Sequence, residues 1–362
     1  MASEARPLPD RLRGFAAACE DRSPLYAHLA RRAADDPEVA ELLTAAPTAG
    51  LAHPTLLFAA VHDLVLAGDA PDLAAWYPSA GGRRTLADAD PWPTFRRTVL
   101  THRAAVEHRV GTRRTQTNEV GRSSALLVAL RWVQQSVARP LAWLDVGTSA
   151  GLNLRLEHYR HEFVGDAATR VLGPEDARVR LRCEVTGVPP LDAVPDVGWR
   201  SGLDAAPVDV TDPRERAWLQ ACVWPEQIDR LQRLRAALDV ATADPVPLHT
   251  GDAVDALAEV AAAAPADAHL VVTHSWVLAY LEPDARKAFE AALAELGSRR
   301  DLDRIGMESG GLVPGTVRDG RARSWLGRSA WRDGRREDQV AAEVDDHGRW
   351  LTWEPGPARP IA

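Results

Sequence analysis

The stretch Leu141-Ala-Trp-Leu-Asp-Val-Gly-Thr-Ser-Ala-Gly-Leu-Asn153 constrains this chain more than any other. A short apolar run, Leu141 to Val146, carries Asp145 near its end and stops in Gly147-x-Ser149-x-Gly151. A helix-like segment follows at once, Leu152 to Tyr159. Strand, small-residue turn and helix is how α/β folds bring backbone N–H groups close to a ligand. It is also how a hydrolase presents a nucleophilic serine. The two readings lead to different enzymes.

The residues on either side differ in character. Up to about residue 140 the spacing is helical. Ser23-Pro24 reads as an N-cap followed by proline in the first helical turn. His53-Pro54 opens a helix over Thr55–Ala67 that Gly68 closes, and 93–110 and 119–137 continue the pattern. From Pro140, short apolar runs alternate with helical ones. Strands are expected at 141–146, 179–183, 197–203, 245–249, 269–274 and 304–308. Helices are expected over about 213–241 and 283–296, and 160–195 reads as irregular. The tail alternates in the β manner at 325–331, 338–344 and 349–353, with turn chemistry at Asp333-Gly334 and Asp346-His347-Gly348. Strands alternating with helices imply a parallel sheet, and the tail adds an antiparallel hairpin.

With 362 residues the chain is long enough for a large core. The net charge of −8 argues against a general nucleic-acid or anionic-membrane binder. Lys287 is the only lysine, so the positive charge is arginine, as in a GC-rich genome. Cys19, Cys183 and Cys222 are far apart and form no Cys/His cluster. That excludes an obvious zinc site and suits buried thiols in a reducing compartment. No metal site is expected. The first residues lack a signal-type apolar core, and no run is long enough to span a membrane. A cytoplasmic protein without membrane or nucleic-acid partners is expected.

Four strand ends fall into line: Asp145-Val-Gly-Thr-Ser-Ala-Gly151, Gly202-Leu-Asp204, Gly251-Asp252-Ala253 and Thr273-His274-Ser275. In an open α/β sheet the ligand lies over the carboxyl ends of the strands. A nucleoside cofactor needs a close-approach turn, an acid for the ribose hydroxyls and an acid or amide for the adenine amine. Gly147 to Gly151, Asp204 and Asp252 supply those types in that order, with Asp145 and Asn153 flanking the turn. The region resembles the Rossmann-like fold of class I S-adenosylmethionine-dependent methyltransferases. It departs from that pattern in having Ser149 where a glycine is usual, and in the long interval from Gly151 to Asp204, which requires an insertion over about 160–195.

Other polar groups are candidates for the same cleft. Gln116-Thr-Asn-Glu-Val-Gly-Arg122 is the densest polar cluster before the sheet. Asn118 or Thr117 could cap the helix that follows, or Gln116, Asn118, Glu119 and Arg122 could reach ligand. His274 and Glu119 are candidate bases, and Ser275 and Trp224 candidate substrate contacts. Glu308 ends the next strand and Gly310-Gly311 follow.

The competing serine-hydrolase reading takes Gly147-Thr148-Ser149-Ala150-Gly151 as an elbow, with His274 or His347 as base. The helical first 140 residues and the missing HGGG-type motif weigh against it. A non-catalytic nucleoside-binding protein on the same fold is a third reading.

Several stretches together resemble one bacterial family, domain of unknown function 2332. They are Ser23-Pro24-Leu25-Tyr26, Leu57-Phe58-Ala59-Ala60-Val61-His62, Gln116 to Arg122, Gly147-x-Ser-Ala-Gly-Leu-Asn153, Gly202-Leu-Asp204 with Pro207-Val-Asp209, Trp224-Pro225 and His347-Gly348. The resemblance implies a methyltransferase-like central fold and no particular substrate. The expected architecture is therefore a helical N-terminal cap domain, 1–139, followed by a Rossmann-like α/β domain, 140–362. The expected chemistry is methyl transfer from S-adenosylmethionine to a small-molecule acceptor. The oligomeric state and the acceptor are left open.

Overall fold

Where apolar residues recur with helical spacing the chain makes helices alone, and where they come in short runs it makes one large sheet. The computed structural model describes residues 7–46, 53–318 and 323–358; the outer ends of the expected segments, residues 1 and 362, lie outside these. Two compact units result, one of Met1–Thr117 with Thr211–Arg235, the other of Asn118–Val210 with Ala236–Ala362. No helix among the described residues is long and apolar enough to cross a membrane.

In the first unit, proline sets where helices begin. It stands in the first turn of Pro24–Ala34, Pro37–Ala40, Pro54–Ala67 and Pro213–Ala221, where its missing N–H costs no hydrogen bond. Ser23, Asp36 and Asp212 cap three of these by accepting a backbone N–H. Pro54–Ala67 is apolar nearly all round and buries Leu56 through His62, as the central helix of a bundle must. Gly68 ends it in the left-handed region, φ 83°. Two long helical stretches prove to be pairs. His102 separates Trp92–Thr101 from Arg103–Thr112. A break at 222–227, containing Pro225, separates Pro213–Ala221 from Ile228–Ala243. The break has a use. Glu226 accepts the Leu25 N–H at 2.8 Å and the Ser23 hydroxyl, adding a second cap to the helix from Pro24.

The second unit holds an eleven-stranded mixed sheet. In chain order the strands are β1 Leu141–Val146, β2 Arg160–Gly165, β3 Thr169–Leu172, β4 Arg180–Gly187, β5 Val197–Asp204, β6 Leu248–Thr250, β7 His269–Ser275, β8 Leu302–Ser309, β9 Ser324–Arg332, β10 Arg335–Val344 and β11 Trp350–Pro357. The spatial order is β3-β2-β4-β11-β10-β9-β8-β7-β1-β5-β6. The stretch 160–195, expected to be irregular apart from a strand at 179–183, supplies β2 and β3 as well as β4. They join the sheet because β4 pairs in parallel with β11, at the far end from β6. Strands β6, β5, β1, β7 and β8 are parallel to one another. Their order is that of a doubly wound sheet, 3-2-1-4-5, with antiparallel β9 in the next place.

Side chains alternate across the sheet. Leu141, Trp143, Val271 and Ile305 face the helix Arg122–Gln134. Ala142, Leu144, Leu270 and Val272 pack with Phe289 and Leu293 of the helix Pro283–Arg299. Cys19, Cys183 and Cys222 are buried free thiols, and burial pushes the thiols of Cys19 and Cys183 up to about 12.

A buried charge network closes the amino ends of β7 and β8. Asp303 receives Arg328 Nε at 2.6 Å and Arg332 Nη2 at 2.5 Å, and lies 2.7 Å from His269 Nε2. Burial alone would raise its pKa, but the His269 contact and the two guanidiniums outweigh this and hold it at about 2. A depressed carboxylate pKa gives stability that is full above the unfolded value and lost as pH falls through the folded one. Asp303→Asn should cost about 3 kcal/mol at pH 7, since it strands buried cations. In urea unfolding, that deficit should shrink steadily from pH 4 towards pH 2. A deficit that stayed constant would mean the carboxylate's charge is not what holds the network.

Candidate functional site

The doubly wound order places a switch point at β1. The chain passes from β1 to β5 and β6 on one side, then returns to β7 and β8 on the other. The carboxyl ends of β1 and β7 therefore diverge in their connections, and a crevice opens there in folds of this order.

The turn after β1 is held by three loops. Gly147 N–H donates to the Leu203 carbonyl at 2.8 Å, and Val208 N–H donates to the Ser149 carbonyl at 3.1 Å. Ser149 N–H donates to Asp204 Oδ2 at 2.8 Å, while Asp204 Oδ1 accepts Ala206 N–H at 2.8 Å. Two backbone donors thus orient the Asp204 carboxylate, and an ionised carboxylate has room for further donors. Gly251 N–H donates to the Asp204 carbonyl at 3.0 Å, which joins the ends of β5 and β6. Asp252 follows in the open, accepting Val254 N–H at 2.7 Å in a local turn.

The turn is left-handed at three places, with φ of 72° at Gly147, 54° at Ser149 and 64° at Gly151. The glycines serve the protein's own packing. A Cβ on Gly147 would run into Val277, and one on Gly151 would meet Leu248 and Arg155. Ser149 alone bears the cost of an L-residue in this conformation. Its hydroxyl meets Asn118 Nδ2, and Asn118 is itself at φ 34°. Asn153 is turned elsewhere and accepts the Ser123 hydroxyl at 2.8 Å. The expected helix after the turn is a 3-10 segment, Asn153–His158. Arg155 leaves helical geometry there (φ −117°) to donate to the Gly151 carbonyl at 2.6 Å and the Asp244 carbonyl at 2.7 Å.

Asp145 lies beneath this turn. Trp143 Nε1 donates to Thr273 Oγ1 at 2.8 Å, and the Thr273 hydroxyl donates onward to Asp145. All three lie on one face, since Asp145 pairs with Thr273 in register. Burial raises the Asp145 pKa to about 6; the Thr273 hydroxyl and the Arg122 charge pull it down, and Asp204 pushes it up. Asp145, Asp204 and Arg122 thus share one electrostatic neighbourhood.

Residues Asn118 to Arg122 cross the strand ends. Arg122 donates from Nη1 to the Ser275 carbonyl at 3.3 Å and from Nε to the Asp346 carbonyl at 2.9 Å. Glu119 is buried, accepts Gly121 N–H at 3.0 Å and lies 2.8 Å from His347 Nδ1. Gly121 and Gly348 pass so close that a Cβ on either would strike the other loop's backbone.

His274 faces the opposite side of the sheet from Thr273. Its Nδ1 is 2.8 Å from Glu308 Oε1, its ring meets Phe289 edge-on, and its buried Nε2 has no hydrogen-bond partner among the described residues. The same Glu308 oxygen accepts Val277 and Leu278 N–H groups, so Glu308 holds the loop after β7. Trp276 is left-handed at φ 58° and donates to Ser324 Oγ at 2.7 Å.

The structure thus gathers Asp145, Gly147, Ser149, Gly151, Asn118, Glu119, Arg122, Asp204, Asp252 and Ser275 around the carboxyl ends. Gln116 and Trp224 belong to the first unit, where Trp224 packs edge-on to Phe15 at 5.7 Å. Sequence reasoning missed Thr273, Arg155 and Asp346. Thr273 carries a parity signal, two residues on from Val271, whereas Arg155 looks like any helix-surface cation. Glu157, His158 and Asp244 lie close enough to suit a cation, but Arg200 already reaches both carboxylates.

Residues 9–353 match a family model described as "Uncharacterized protein conserved in bacteria (DUF2332)". The chain belongs to this family. No curated protein matches it.

Three substitutions test this geometry. Ser149→Gly relieves left-handed strain of about 1 kcal/mol and loses the hydroxyl's hydrogen bond to Asn118, of similar worth, so stability should stay within about 1 kcal/mol. Ser149→Val, β-branched at positive φ, should cost about 2 kcal/mol or more in the same melts. For Asp145 the sign is reversed from Asp303: a raised carboxyl pKa gives stability that is full below the unfolded value and lost as pH rises through about 6. Asp145→Asn should therefore gain on the parent by about 3 kcal/mol between pH 4 and pH 8. A pH-independent difference in urea unfolding would refute the assignment.

Proposed function

We propose that this protein binds S-adenosylmethionine at the β1 switch point and transfers its methyl group to a small-molecule acceptor. The observation that carries the reading is the Asp204 carboxylate, fixed at the end of β5 by Ser149 and Ala206 N–H groups with acceptor capacity left over. An acid fixed there suits the paired hydroxyls of a ribose. Asp252, on the adjoining strand end and exposed, suits the adenine amine. The 3-2-1-4-5 order with an antiparallel strand beside the fifth agrees with a class I methyltransferase sheet.

The residues fit such a ligand in their acids more than in their glycines. Val277 and Leu248 occupy the space that Gly147 and Gly151 leave, so the turn's part is to hold Asp204 and not to cradle ligand. The bound cofactor would supply an electrophilic methyl group on a sulfonium. The protein's part would be to bind, to exclude water and to align the acceptor in line with that carbon.

One observation favours the serine-hydrolase reading: Ser149 stands at φ 54° in a strand-to-turn elbow. Against it, His274 is turned onto Glu308 on the other face of the sheet. A fluorophosphonate that left Ser149 unlabelled while labelling a control hydrolase would remove that reading.

Calorimetric titration with S-adenosylmethionine and S-adenosylhomocysteine should show binding in the micromolar range. Asp204→Ala should weaken it about 100-fold, the worth of two hydrogen bonds to a charged group, and Asp204→Asn about tenfold. Equal affinity in parent and Asp204→Ala would end the proposal.

A further inference from the structure

His274 is committed to Glu308. We propose that His347 accepts the proton that the methyl acceptor gives up, and that Glu119 is its positioning residue. This rests on the methyl-transfer reading above.

The geometry runs from the β1 turn outward. Asn118 meets the Ser149 hydroxyl at the end of β1, and Arg122 holds the Ser275 carbonyl at the end of β7. Glu119 lies between them in sequence, so its segment spans the switch point. His347 belongs to the turn between β10 and β11, and that turn is pinned to the same segment twice. Arg122 holds the Asp346 carbonyl, and Gly121 and Gly348 interlock backbone to backbone.

The pair is asymmetric in burial. The Glu119 side chain is 1% exposed and that of His347 is 19% exposed. A buried carboxylate that accepts from Nδ1 fixes the imidazole with its proton there, which leaves Nε2 the basic nitrogen. Gly121 N–H on the other Glu119 oxygen stops the carboxylate from rotating. Carboxylate, histidine and reacting group in series is the arrangement by which an imidazole is held ready to take a proton.

The pairing also specifies the acceptor class. A base is useful only if the nucleophile carries its proton at rest, so the acceptor would be a small molecule with a weakly acidic O–H or N–H. In the step, the heteroatom bonds to the methyl carbon and the carbon–sulfur bond breaks with its electron pair left on sulfur. The acceptor's proton passes to Nε2 of His347 and then to water.

The test uses the full chain. Long-range proton–nitrogen correlation on histidine-labelled protein reads which nitrogen of neutral His347 is protonated. Diethyl pyrocarbonate followed by peptide mass spectrometry reads access to the imidazole, with S-adenosylhomocysteine as the competing probe. Nδ1–H is expected in the parent and a mixed tautomer in Glu119→Gln, with melts confirming that the variant is folded. S-adenosylhomocysteine at ten times its Kd should slow His347 labelling about tenfold by occupancy alone. A proton on Nε2 in the parent would overturn the role. So would bound ligand that leaves His347 labelling unchanged, and the cofactor reading would then survive. If calorimetry finds no binding to folded protein, the cofactor reading falls and the proton role with it.

Discussion

Strand β1 is buried along its whole length and paired on both edges. Any polar group on it must find its partner inside the protein. Asp145 is the one carboxylate so placed, and its needs organise what surrounds it. Thr273 must sit opposite it on β7 with its hydroxyl proton directed at the carboxylate, because Trp143 already donates to that oxygen. This fixes the register of β1 and β7. A slip by one residue would turn Asp145 to the apolar face of Leu270 and Val272. The turn that follows is therefore launched from a strand with no freedom to shift, and Asp204 and the Asn118–Arg122 segment are set against that fixed point.

The two sides of β7 show how one residue of parity separates roles. Thr273 belongs to the face of Asp145, His274 to the face of Phe289. A histidine at the carboxyl end of a buried strand is a natural base candidate, but the pleat sends it to the wrong side and Glu308 claims it. His347 is distant in sequence and sits in a tail turn, yet the interlock of Gly121 with Gly348 brings it to Glu119.

Much of the core architecture was legible. The apolar runs at 141–146 and 269–274 gave their strands, proline and serine gave the helix starts, and Asp-Gly and His-Gly pairs gave the tail turns. These are local signals, decided by periodicity and by φ. What could not be read was pairing. Strands β2 and β3 look irregular because a partly exposed sheet end has no continuous apolar run, while β4, expected at 179–183, has its outer partner β11 far along the chain. That Glu226, in the break at 222–227, caps the helix from Pro24 depends on a contact some two hundred residues away in sequence.

The glycine-rich turn carries the same lesson at the site itself. A pattern of small residues after a strand invites the inference that ligand occupies the space they leave. Here Val277, Leu248 and Arg155 occupy it. The glycines let three loops meet at one point, and that meeting holds Asp204 in place. Ser149 can stand where a third glycine would be expected because its φ is tolerated and its hydroxyl meets Asn118. The substitution thus exchanges backbone ease for a tie to the segment that carries Glu119. The serine that departs from the expected pattern is the same residue that links the β1 turn to the Glu119–His347 pair.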